Sequence, residues 1–133
     1  MSQNNDTTDY GPLDALVGSW RGVTGMDVAP EPDGTEHNPY YETFLFEPIG
    51  TVTNAESQQL AALRYHQVVS RKSNDRVFHN ETGYWMWDAE QGLIMQTLTI
   101  PRGVSLVAGG SHTETGDAME IRVHAAASDA NWP

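Results

Sequence analysis

An all-β, antiparallel up-and-down β-barrel is the fold class this sequence predicts, and three observations carry it. About seven runs rich in β-branched and aromatic residues follow one another at roughly even spacing. Turn residues (Gly, Pro, Asn, Asp) punctuate them, and helical periodicity is nearly absent. No internal repeat interrupts the series, which is the pattern of a meander. At 133 residues the chain has the length of one domain.

Residues 1–11 are polar and read as a disordered N-terminal tail, leaving residues 12–133 as a single barrel domain. After Gly11-Pro12, the spacing of Leu13, Leu16 and Val17 predicts a short helix or 3₁₀ turn. Strand one begins at Gly18-Ser19-Trp20-Arg21-Gly22, where glycines suit a strand that must bend. Ala29 to Pro39, with three prolines, a glycine and acidic residues, reads as a loop. Strand two runs from Tyr40 to Glu47 and is expected to end at Pro48-Ile49-Gly50. The stretch from Leu60 to Asp88 follows, two long strand-like runs joined by the turn Lys72-Ser73-Asn74-Asp75. Later strands are expected at Leu93 to Ile100, Val104 to Ala108 and Met119 to Ala126. Seven strands fall short of a closed barrel of this type. The expectation is a barrel that is open, assembled between chains, or completed by strands beyond this sequence. Open edges call for a cover, and a homodimer is the expected assembly.

The central hairpin is where chemistry concentrates. A turn with an even number of residues pairs even positions of one strand with odd positions of the other. That rule sets Arg64, His66, Val68, His79, Glu81, Trp85 and Trp87 on one face, and Leu63, Tyr65, Val69, Phe78, Thr82, Tyr84 and Met86 on the other. The first face, with two imidazoles, a guanidinium, a carboxylate and two indoles, is the expected functional one.

Composition excludes several classes. There is no cysteine, hence neither disulfide nor thiolate metal site. The net charge of −11, from 18 acidic against 7 basic residues, repels phosphate backbones and anionic membranes, so neither nucleic acid nor membrane is an expected partner. The amino-terminal stretch has no charged and apolar leader pattern, and no segment is apolar for long enough to span a bilayer. A soluble, cytoplasmic, acidic protein is the expectation. Phosphate loops, nucleophile elbows, His-Glu-x-x-His and calcium-loop motifs are absent from the sequence.

Four motifs in order resemble one family. Leu13-x-x-Leu16-x-Gly18-x-Trp20-x-Gly22 resembles the opening of the calycins, the lipocalin and fatty-acid-binding-protein group. Tyr40-x-Glu42-x-x-x-Phe46-x-x-x-Gly50 resembles the second strand of the nitrobindins, haem-binding β-barrels of that group. His79-x-Glu81-x-Gly83-Tyr84 matches their central motif, and Gly103-Val104 followed by Gly109 or Gly110 matches the spacing of the next hairpin. The resemblance implies a barrel enclosing haem b and acting on nitric oxide or peroxynitrite, with His79 in the pocket. In that family the iron-holding histidine near the C-terminus stands in a His-Leu pair, and that pair has no counterpart after Met119.

The expected ligand pocket therefore comprises His79, Glu81, His66, Arg64, Trp85 and Trp20, with His79 and His124 as haem-iron candidates. His66, His79 and Glu81 could also assemble a two-histidine, one-carboxylate metal site. Each has a plainer role: Glu81 satisfying a polar patch, the tryptophans packing a barrel end, His124 facing solvent. Three functions stay open. The first is a binding module for a small apolar or planar ligand. The second is a haem-dependent enzyme of the peroxynitrite isomerase type, and the third is a barrel that has lost its ligand and serves as an interaction scaffold.

Overall fold

A computed structural model describes residues 7–126 of the chain. After a 3₁₀ turn at Gly11–Leu16 come seven strands: β1 (Gly18–Glu31), β2 (Gly34–Asn54), β3 (Gln58–Arg71), β4 (Val77–Asp88), β5 (Leu93–Ile100), β6 (Val104–Thr115) and β7 (Ala118–His124). Each pairs antiparallel with its neighbour in chain order, giving one sheet from β1 to β7. The sheet curls into a half-barrel, so the expected all-β meander is what forms, and β1 and β7 stand as its two edges.

Curling needs places where backbones approach closely. A Cβ on Gly83 would collide with the Thr97 carbonyl oxygen of β5, and one on Gly110 with the Arg122 carbonyl oxygen of β7. Glycine at these two positions permits the bend. The concave side then gathers the core: Leu13, Phe46, Ala61, Leu63, Tyr65 and Ile94 are buried together, with Phe44, Trp85, Trp87, Leu98, Ile121 and Val123 packed against them. The 3₁₀ turn covers one end of this face, placing Leu13 wholly out of solvent.

Three local expectations are corrected. Ala29 to Pro39 is strand, not loop: β1 and β2 continue as a two-stranded ribbon to a turn at Pro32-Asp33. Beyond Tyr40, β2 pairs only with β1, so each ribbon strand has a free edge on which a proline forfeits no ladder bond. Pro48-Ile49-Gly50 is a bulge rather than an end, and β2 runs on to Asn54. There Gly50 takes a positive φ of 91° and its N–H donates to the Tyr10 hydroxyl at 2.9 Å. Tyr10 itself, assigned to the tail, is 5% exposed and part of the core; residues 1–6 of that tail lie outside the described residues.

Candidate functional site

The hairpin β3–β4 builds the site, and a single extra residue decides its faces. Next to the turn Ser70 pairs with Val77, the even-loop register. Between Val69 and Ser70 the register shifts, because Phe78 is accommodated as a bulge, and from there Val69 pairs with His79, Gln67 with Glu81, Tyr65 with Gly83 and Leu63 with Trp85. Odd now faces odd. The bulge turns over every side chain of β3 relative to β4.

The concave face thus joins His79, Glu81, Trp85 and Trp87 to Leu63, Tyr65, Gln67 and Val69. Arg64 and His66 are displaced to the convex side, and this corrects their place in the expected pocket. Arg64 lies 3.6 Å from Glu47 in an exposed ion pair, and His66 Nε2 donates to Asn80 Oδ1 at 2.7 Å on the outer surface. A metal site from His66, His79 and Glu81 is excluded by the same parity, and no cluster of three or more His, Asp or Glu capable of holding a metal ion occurs among the described residues. His124 follows Val123, which packs on the core, so its exposed side chain faces away from the concavity. Trp20, half exposed, donates its indole N–H to the Leu16 carbonyl at 2.7 Å and fastens the 3₁₀ turn to the rim.

Inside the curve a chain of polar groups crosses three strands. His79 Nε2 lies 3.0 Å from Glu81 Oε1; the Tyr65 hydroxyl donates to Glu81 Oε2 at 2.5 Å; Gln96 Nε2 of β5 donates to the Tyr65 oxygen at 2.9 Å. A parallel link runs from Gln67 Nε2 to Glu42 Oε1 of β2 at 2.9 Å. Burial, the adjoining Glu81 carboxylate and its hydrogen bond together push the Tyr65 phenol well above the usual tyrosine range. Around this chain stands an aromatic wall. Phe44 stacks on Phe46 at 5.6 Å, Phe46 on Tyr65 at 5.9 Å, and Trp85 lies 6.4 Å from Tyr65.

Sequence reasoning missed Tyr65, Gln67, Gln96, Glu42 and His112. His112 of β6 also faces inward, edge-on to Trp87 with centroids 5.6 Å apart, at the end covered by the 3₁₀ turn. One signal was available for β3. Leu63, Tyr65 and Val69 alternate with polar Arg64 and His66, and matching their apolar parity to that of Trp85 and Trp87 gives the observed register without reference to the turn.

A curled antiparallel sheet with an aromatic concave wall and a few convergent polar groups is consistent with a calycin-like barrel and has the make-up of a ligand-binding face. The family model described as "THAP4-like, heme-binding beta-barrel domain" matches residues 9–131, and the chain belongs to that family. The resemblance to the nitrobindin-type haem-binding barrels is thereby borne out. Neither the curated proteins nor the solved structures gave a match.

Proposed function

We propose that the chain binds a small apolar or planar ligand against its concave face, with haem b the foremost candidate. The supporting observation is the wall of Phe44, Phe46, Tyr65 and Trp85 beside the His79–Glu81–Tyr65–Gln96 chain. Aromatic faces suit a porphyrin plane, and an imidazole suits iron. The residues present fit the group: His79 is the inward imidazole within the polar chain, and Glu81 fixes its ring through Nε2. Bound haem iron would supply reactivity toward nitric oxide or peroxynitrite. The protein's own contribution is to orient His79 and to supply the apolar concave face beside it.

Hemin titration followed in the Soret region tests this reading. The expected outcome is a shifted band saturating at one equivalent, abolished in His79→Ala and retained in His124→Ala. Absence of a band at stoichiometric hemin removes the haem assignment, and displacement of a fluorescent fatty acid then tests the wider ligand-binding reading. The open β1 and β7 edges support a homodimer in which a second copy covers them. Light scattering then gives twice the 14.7 kDa chain mass.

A further inference from the structure

The end of the concave face that carries the β1–β2, β3–β4 and β5–β6 turns holds a cation whose buried N–H has no acceptor. Arg71 is the last residue of β3, paired with Tyr40 of β2. Its guanidinium lies over the Phe78 ring, 5.4 Å from the centroid, and Phe78 meets Tyr40 edge to face at 6.1 Å. Tyr40 is held in turn over Gly25, where any Cβ would collide with its ring. Arg71 Nε is buried without a hydrogen-bond partner. Leaving such a donor unmet is costly, and proteins seldom do so without a reason.

Two carboxylates at this end are engaged elsewhere. Glu42 accepts from Gln67 at 2.9 Å and Asp75 from the Tyr41 hydroxyl at 3.1 Å. Glu31 shares a hydrogen bond with Glu36, which holds its carboxyl above the usual range, while Arg71 pulls it the other way through space. Among the described residues the ion pairs are Arg64–Glu47, His79–Glu81 and Arg122–Glu120, none of which includes Arg71. Basic side chains also cluster here, beside the acidic Glu31, Asp33 and Glu36 of the β1–β2 turn. Lys72 and Arg76 flank the same turn, and Arg102 of the β5–β6 turn lines a recess of about 220 Å³ with Phe78, His79, Ile100 and Pro101. In a chain of net charge −11, four of the seven basic residues stand at this one end.

We propose that Arg71 is the anion anchor of the concave pocket, taking the carboxylate of an amphiphilic ligand whose apolar body runs along the aromatic wall. This rests on the ligand-binding reading above and names the chemical class of the ligand. An aliphatic acid and a porphyrin propionate present the same carboxylate to a guanidinium, which binds it by charge-assisted hydrogen bonds. The aromatic support of Phe78 and Tyr40 pre-orients the fork.

Matched acids and esters test the assignment on the full chain. A fluorescent polyene fatty acid is compared with its methyl ester, and hemin with its dimethyl ester, on the wild type, Arg71→Met and Arg71→Lys. The wild type is expected to prefer the acid of at least one pair by about ten-fold or more, and the pair that discriminates identifies the source of the carboxylate. Arg71→Met is expected to erase that preference while leaving ester affinity unchanged, and Arg71→Lys to keep part of it. Equal binding of acid and ester to the wild type, a measurement that needs no variant, overturns the anchor and leaves the ligand-binding reading standing. Equal losses of acid and ester in Arg71→Met overturn it as well. If none of the four compounds binds the wild type, the ligand-binding reading falls and the anchor falls with it.

Discussion

The Tyr65 hydroxyl donates to Glu81 diagonally across the β3–β4 pair at 2.5 Å, with Tyr65 itself 2% exposed. The two residues share a face only because of the Phe78 bulge. This contact links the aromatic wall to the polar chain. Substituting Tyr65→Phe keeps the ring and strands two partners, Glu81 Oε2 and Gln96 Nε2. The expected cost is about 2 kcal/mol, because buried polar groups are left unmet. Urea unfolding of the two proteins measures it.

Alkaline stability follows from the same phenol. Its folded pKa lies above the unfolded value of about 10, so the folded state holds the proton more tightly. The resulting stabilisation is complete below pH ~10 and is lost as pH rises from there toward the folded pKa. Unfolding free energy should therefore fall above pH ~10 in the wild type, with a gentler fall in Tyr65→Phe. Identical slopes would dissociate the hydroxyl from the effect.

Ligand binding should divide the hairpin residues by face rather than by residue type. His79→Ala and Trp85→Ala are expected to weaken binding of hemin or a fluorescent fatty acid by about ten-fold or more. His66→Ala and Arg64→Ala, on the convex side, should leave it within about two-fold of wild type. A loss in His66→Ala matching that in His79→Ala would contradict the odd-to-odd register.

Gly83, within the His79-x-Glu81-x-Gly83-Tyr84 motif, is a steric requirement. A methyl group there meets the Thr97 carbonyl oxygen, and backbone on the neighbouring strand cannot step aside as a side chain would. Gly83→Ala should cost roughly 2–3 kcal/mol. The measurement is the denaturation midpoint, with Gly22→Ala as a comparison at a strand glycine where a Cβ makes only ordinary contact with the Glu42 side chain.

The local pattern of β-branched and aromatic runs marked most of the strands, and β5 was bounded as observed at Leu93–Ile100. The motif from His79 to Tyr84 was also visible, because its residues lie on one strand and period-two alternation places His79 and Glu81 together. The ribbon through Pro30 and Pro39 was not, since prolines signal a loop unless a strand has a free edge, and edges belong to the sheet.

What the sequence by itself determined is the antiparallel meander, the family and the pairing of His79 with Glu81, all consequences of short-range alternation and spacing. Only the tertiary structure decided which residues of β3 join them. One bulged residue at Phe78 reverses the parity of the hairpin, exchanging Arg64 and His66 for Tyr65 and Gln67. A bulge is settled by which register buries Leu63, Tyr65 and Val69 against the rest of the curved sheet, a matter of packing across strands that turn length alone does not encode.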